Sequence, residues 1–372
     1  MKSKKNILCL SWCDADDVMN YGQILQGCAM MHLLRQMCKG EIIYVSYFPR
    51  GPKSRVKYYL KHYNLCSGHM IPYIKSKIII NKFIKHNNIK YKRVTRKNIS
   101  DKLTQKIDIM ICGSDQIWHP QNFDKNYFLN FGNKNIKRIA FSVSLPKTQV
   151  ESQFINEYKE IVKSMACLDS IAVREKGSVN FISQLSGKSV VSTFDPTYLV
   201  PSKMWLNILE PMPIDSNYIF VYIPNGMDYT MAEQIEIIKN ELEIQAVVVM
   251  ITRGKNLCRD SLNLKFISIG QFLYLIKHAV CVITSSFHAV VFSTIFHADF
   301  YAYDVQNEMR GEDIRISDLL QQLGLSDRKI GSRMVQYDTI DYENVDKKIE
   351  ENKIFAIKYL QDLLCENDVA EV

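Results

Sequence analysis

The chain has 372 residues, 10 cysteines and a formal charge of +8, with 47% hydrophobic and 23% charged residues. That length holds two domains with substantial cores, and the composition is that of an ordinary folded, soluble protein. No cysteine sits in a CxxC pair and no spacing resembles a zinc site, so a zinc-binding module is excluded, and no apolar stretch reaches transmembrane length.

The N-terminus carries lysines, but NILCLSW is short and runs straight into CDADD without a cleavage pattern. The expected location is therefore the cytoplasm, with peripheral contact at the inner membrane face left open. Residues 6–12 are an apolar run that predicts the first strand. A helix is predicted from about Gln23 to Met37, with Ile24, Gly27, Cys28, Met31, Leu34 and Met37 on one rough apolar face. Gly40 ends it, and residues 41–47 read as the second strand, a βαβ start.

That opening lacks a GxGxxG fingerprint, which argues against a dinucleotide site. Asn20, Tyr21, Gly22 and Gln23 instead stand where strand hands over to helix, and are candidate substrate contacts. Gly22 would let a ligand approach the backbone, and Asn20 and Gln23 can donate and accept hydrogen bonds. The alternative is an N-cap followed by a turn glycine.

Residues 50–102 contain 15 Lys/Arg and one acid, Asp101, about +14, which leaves the remainder near −6. The region 50–105 is predicted as a basic helical insertion. Its field would attract nucleic acid, anionic lipid or an anionic glycan carrier. No nucleic-acid module accompanies it; a solvated insertion with no partner is the plain alternative.

Residues 107–112 are a compact strand running into GSDQIWHP. Gly113 and Ser114 offer a tight turn, and Asp115 and Gln116 supply polar groups at the carboxyl edge of the sheet, where open α/β folds place ligands. Trp118 and His119 are read as lining a sugar or an anion, with packing as the alternative for Trp118. Residues 138–144 give a strand, 149–164 a helix and 169–173 the next strand, which delivers Arg174 and Glu175. An arginine there can clamp a carboxylate or phosphate through two parallel bonds, unless Glu175 simply neutralises it. Residues 178–185 read as helix and 189–194 as strand, with Asp195, Pro196 and Thr197 closing a first domain of residues 1–200.

Residues 201–216, with Pro201, Pro211 and Pro213, read as a linker. A second α/β domain is expected over 217–342: strands at 218–222, 246–252, 264–267, 280–284 and 299–303, with helices near 230–240, 270–277, 286–296 and 316–323. Thr284, Ser285 and Ser286 offer N-cap hydroxyls to the helix after the fourth of these strands. They place His288 in a first turn whose amides favour an anionic ligand. A final helix over 343–364 is long enough to return across both domains.

Six segments, NYGQILQG (20–27), ICGSDQIWHP (111–120), SIAVREKGS (170–178), FDPTYL (194–199), TSSFHAVVFS (284–293) and RISDLLQQLGLSDR (315–328), in this order, resemble the polysaccharide pyruvyl transferase family. The resemblance spans about residues 5 to 330. It implies two Rossmann-like domains facing across a cleft in a glycosyltransferase-B-type fold. It also implies transfer of pyruvate from phosphoenolpyruvate to two hydroxyls of a sugar, with a cyclic ketal formed and phosphate released. The implied acceptors are surface or capsular polysaccharide units, often lipid-linked precursors; no cofactor and no metal are implied. The family's histidine carries over to His288 and the arginine of its VRE segment to Arg174.

The chain departs from the family pattern at Ser286, where many members carry arginine. In a subgroup reading TDSFHG, Ser285 and Ala289 here replace the aspartate and the glycine. Arg310 or Arg315 would compensate for the missing cation, and Asn307 completes the expected substrate contacts. On this reading His288 serves as acid or base near neutral pH, Asp115 as its counterpart or as a holder of an acceptor hydroxyl, and Arg174 as the donor clamp. Three rival readings stand beside it: a nucleotide-sugar-dependent glycosyltransferase on the same fold, a non-catalytic glycan-binding relative, and a nucleic-acid binder working through 50–102.

Overall fold

A computed structural model describes residues 3–12, 20–48, 70–87, 89–99, 101–214, 216–224, 226–251, 255–303, 313–330 and 338–365. Two all-parallel sheets organise them. The first contains β1 (Ile7–Ser11), β2 (Ile42–Phe48), β3 (Lys92–Thr95), β4 (Ile109–Cys112), β5 (Lys137–Val143), β6 (Ser170–Val173) and β7 (Val190–Ser192), in the order β3-β2-β1-β4-β5-β6-β7. The second contains β8 (Tyr218–Tyr222), β9 (Ala246–Met250), β10 (Ser261–Leu264), β11 (Cys281–Thr284), β12 (Phe300–Tyr303) and β13 (Lys329–Ile330), in the order β10-β9-β8-β11-β12-β13.

Central strands of parallel sheets are covered on both faces and so read as unbroken apolar runs. On β1, Ile7 and Cys9 enter one core while Leu8 and Leu10 enter the core on the opposite face. This is the two-residue alternation of a pleated strand. The core that takes Ile7 and Cys9 also takes Phe220 and Tyr222 of β8 and Phe287 and Phe292 of the Phe287–Ile295 helix. One apolar layer therefore joins the two sheets. Both sheets turn their carboxyl ends toward this junction, the arrangement of a glycosyltransferase-B-type fold.

The Tyr342–Cys365 helix returns across both halves. Its Asn352 side chain accepts from Phe194 N at 2.8 Å, and Lys137 Nζ donates to Leu363 O at 2.7 Å. On the other half, Lys348 Nζ donates to Leu323 O at 3.0 Å.

Three elements differ from their sequence readings. The basic insertion, expected to be helical, holds the Met70–His86 helix but also β3, an edge strand. Only Val94 of that strand is buried, so its lysines and arginines hide the alternation, and charge of this kind suits an exposed edge. The strand expected at 264–267 lies earlier, at Ser261–Leu264, where it pairs with β9; Phe266 at φ 60° cannot continue it. The segment read as a linker is packed: Trp205, in the Ser202–Leu206 helix, is fully buried and donates to Thr197 O at 3.1 Å. No helix among the described residues is long and apolar enough to cross a membrane.

Candidate functional site

Strand ends bring the site together. From the first sheet come Ser114 and Asp115 after β4, Arg174 and Glu175 after β6, and Asp195 after β7; from the second come Ser285, Ser286 and His288 after β11. Asp195 is the centre. Its Oδ2 accepts from Ser114 Oγ at 2.9 Å and from Arg174 Nη1 at 3.0 Å, and lies 3.5 Å from His288 Nε2. Its Oδ1 accepts from Thr197 N at 3.1 Å and Thr197 Oγ1 at 2.8 Å. Burial alone would raise this carboxyl, but His288, Arg174 and the Thr197 amide outweigh it and hold Asp195 below the ordinary carboxylate range.

Arg174 is clamped from both sides. Its Nε donates to Glu175 Oε1 at 3.0 Å, which also accepts from Ser144 Oγ at 2.7 Å. The guanidinium lies 3.9 Å over the Phe287 ring. Burial disfavours its charge, yet Glu175, Asp195 and Asp115 keep it charged, with the group held above its ordinary range. Burial pushes the Glu175 carboxyl up despite Arg174 and Ser144. Glu175 and Asp195 pair with Arg174, which is thereby built into the protein's own charge network. One nitrogen, Nη2, is buried without a hydrogen-bond partner.

His288 stands in the first turn of the Phe287–Ile295 helix and is 8% exposed. Its Nε2 has no hydrogen-bond partner. Gly22, in the first turn of the Tyr21–Met37 helix, lies against the imidazole; a Cβ added there would fall 2.1 Å from Nδ1. The close approach that the sequence placed at Gly22 is therefore made by His288, not left open to a ligand. Asn20 caps the same helix, accepting from Gln23 N at 3.2 Å. Gln23 is buried with Oε1 unpartnered. Tyr21 packs on Phe272 and donates to Ile267 O at 2.7 Å, which makes it a tie between the two halves rather than a substrate contact.

The expected capping by serine hydroxyls does not occur. Ser286 makes no side-chain cap bond, Ser285 Oγ is buried without a partner, and Thr284 Oγ1 instead accepts from Ser286 N at 3.0 Å. The first amides of the Phe287–Ile295 helix are thus left uncapped by side chains beside His288.

Gly113 has φ 127°, and a Cβ there would meet Phe141 O at 2.0 Å, so β5 rather than a ligand demands the glycine. Asp115, at φ 76°, folds its Oδ1 back to accept from Gln116 N at 2.8 Å. A non-glycine residue in that region is held at a cost and recurs at functional turns. Ser114 spends its hydroxyl on Asp195. Trp118 is fully buried, stacks on Phe128 and donates to Tyr127 O at 3.1 Å; it belongs to the core of the first sheet, not to the site. Arg315 reaches the rim but grips Asp313 at 2.7 and 2.9 Å. That pairing outweighs burial and pulls Asp313 down to about 2. Arg315 is therefore not a free substitute for the arginine absent at 286. Asn307 and Arg310 lie outside the described residues.

Three residues escaped the sequence reading as members of the site. Asp195 lies in the FDPTYL segment and is read there only as closing the first domain, although an Asp-Pro at a strand's carboxyl end is a helix N-cap signal. Gln26 donates to Trp12 O at 2.7 Å and accepts from Ser114 N at 3.3 Å, fixing the first helix to two strand ends. Phe287 supplies the face beneath Arg174. Gln26 and Phe287 lie within the segments NYGQILQG and TSSFHAVVFS, but nothing local to either residue gives its role. The space between Arg174, Asp195, Phe287, Arg315 and Gln322 is a cavity of about 10 Å³, room for one water. Among the described residues no three His, Cys, Asp or Glu cluster as metal ligands.

Residues 20–307 match the profile of the family described as polysaccharide pyruvyl transferase. The chain belongs to this family. No curated protein matches it in sequence. Among solved structures, it is similar to an S. aureus MnaA–UDP co-structure, at 12% identity and TM-score 0.53, over 97% of this chain and 91% of that one. It is also similar to the UDP-GlcNAc 2-epimerase from Neisseria meningitidis bound to UDP-GlcNAc, at 9% identity and TM-score 0.52, over 97% and 100% of the two chains. A third is a UDP-N-acetylglucosamine 2-epimerase from Listeria monocytogenes, at 8% identity and TM-score 0.50, over 98% and 91%. At these identities the likeness is one of fold. The donor that the resemblance implies, phosphoenolpyruvate, is corrected here. The structures sharing the family fold are described with UDP or UDP-GlcNAc, and the cation expected to hold the donor carboxylate, Arg174, is already occupied by Glu175 and Asp195.

Proposed function

We propose that the protein is a transferase that moves a sugar from a nucleotide-sugar donor to a hydroxyl of a polysaccharide or lipid-linked glycan precursor. One observation carries the reading: a buried histidine of one sheet, with Nε2 unpartnered, stands 3.5 Å from a buried carboxylate of the other. The relatives in fold that hold UDP and UDP-GlcNAc support the choice of donor.

On this reading His288 Nε2 takes the proton of the acceptor hydroxyl. The acceptor oxygen forms a bond to the anomeric carbon, and the bond from that carbon to the donor phosphate oxygen breaks. The electron pair leaves with the nucleoside diphosphate. Asp195, held ionised, favours the imidazolium that results. The uncapped amides at Phe287–Ile295 and Ser285 Oγ are the groups offered to the diphosphate. Asp115 is assigned to holding the acceptor hydroxyl.

Calorimetry on the purified protein with UDP and UDP-GlcNAc tests this reading. Saturable binding, and UDP release that requires a glycan acceptor and is lost in His288→Ala, are expected. Phosphate release from phosphoenolpyruvate with no affinity for any nucleotide sugar would overturn it.

A further inference from the structure

The Met70–His86 helix has two unlike faces. Ile80, Phe83 and Ile84 are buried, and the helix packs against the Ile269–His278 helix of the second half. Opposite them, Lys75, Ile78, Lys82 and Lys85 are exposed, and Ile78 is 49% exposed. Their spacing of three, four and three residues sets them in one straight stripe. An apolar side chain exposed amid three lysines is not explained by packing among the described residues.

The sequence around the stripe carries charge of one sign, although Arg96 is paired with Asp124. Residues 70–99 contain Lys75, Lys77, Lys82, Lys85, Lys90, Lys92, Lys97, Arg93 and Arg96 and no Asp or Glu. Lys90, Lys92 and Arg93, leading into and along β3, are also exposed. In a chain of net charge +8 whose remainder outside 50–102 is net acidic, this face is the cationic pole.

We infer that this face docks on an anionic phospholipid bilayer, with the lysines against headgroup phosphates and Ile78 entering the acyl boundary. A basic stripe with a central apolar residue matches an interfacial helix, whose binding adds apolar burial to electrostatic attraction. A duplex nucleic acid would use the charge but leave Ile78 without a role. The inference does not depend on the proposed donor.

The test is sedimentation of the full-length protein with vesicles of phosphatidylcholine alone, and of phosphatidylcholine and phosphatidylglycerol in equal parts. Binding to the mixed vesicles only, reversed by salt, is expected. Lys82→Glu with Lys85→Glu should weaken it at least about tenfold, since each lysine near such a surface contributes a several-fold factor. Ile78→Asn should weaken it about threefold or more at unchanged charge. All three positions are exposed, so unfolding is not expected; Lys75→Glu is the second charge variant on the same stripe. Failure of the parent to bind mixed vesicles, undiminished binding by the charge variants or by Ile78→Asn, or binding to duplex DNA in place of vesicles would overturn the inference.

Discussion

Asp195 Oδ2 lies 3.5 Å from His288 Nε2, across the junction between the two sheets, and 3.0 Å from Arg174 Nη1. The carboxylate thus takes the place where an anionic ligand was expected to meet both an imidazole and a guanidinium. A network of this kind is stable only while every member is present, because removing one leaves a buried charge uncompensated.

His288→Ala should lower turnover about 10²–10⁴-fold, the usual contribution of a positioned acid or base. Its melting temperature should fall, because the buried Asp195 loses one of the partners that hold its charge. Steady-state rates with UDP-GlcNAc and a glycan acceptor, beside a thermal melt, check both halves. A variant that retains full turnover removes His288 from the chemistry.

Gly22→Ala should destabilise by roughly 1–3 kcal/mol, the usual cost of overpacking, because the added methyl falls 2.1 Å from His288 Nδ1. Paired with His288→Ala the cost should shrink but not vanish, since the ring is gone while the Cβ at 2.8 Å from the added methyl remains. Urea unfolding of both single variants and the double variant measures this coupling. Additive costs would show that something other than the ring resists the methyl.

Asp195→Asn should cost about 3–5 kcal/mol at neutral pH, as expected when one partner of a buried ion pair is cut. The acid limb carries a second signature. Asp195 is held below its unfolded value, so its contribution is complete above about pH 4 and is lost as pH falls through the folded value. Unfolding free energies from about pH 5 down to about pH 2 should fall with acid more steeply in the parent than in the variant.

Asp318 joins the two halves by another route, accepting from Lys176 N at 3.0 Å and Gly177 N at 2.7 Å. Asp318→Ala leaves both amides without that acceptor and should cost roughly 1–3 kcal/mol. If the halves part to admit the donor, it should also loosen the closed form. Small-angle scattering showing a larger radius of gyration in the variant checks the second claim, and an unchanged radius with lost stability confines Asp318 to a capping role.

Trp118→Ala should cost roughly 3–5 kcal/mol while leaving ligand affinity per folded molecule unchanged, because its ring and N–H are spent within the first sheet. A selective loss of acceptor binding would return it to the site.

Much of this architecture was legible in the chain because burial on both faces writes parallel strands as apolar runs. Residues 218–222 and the glycine after Leu323 mark their elements without tertiary help. The ordered motifs likewise placed the family, and the strand-end position of His288 followed from one apolar run, three hydroxyl residues and a helix. Partners were a different matter. That Arg174 meets Asp195, that Gly22 meets an imidazole, and that Trp118 turns into the core depend on which strand ends lie side by side. Those contacts join residues far apart in sequence, and local periodicity carries no record of them. The chain by itself determined two parallel sheets and the residues at their carboxyl edges; only the side-by-side placement of strand ends, within the first sheet and across the junction, decided which charges neutralise one another and which polar atoms remain unspent.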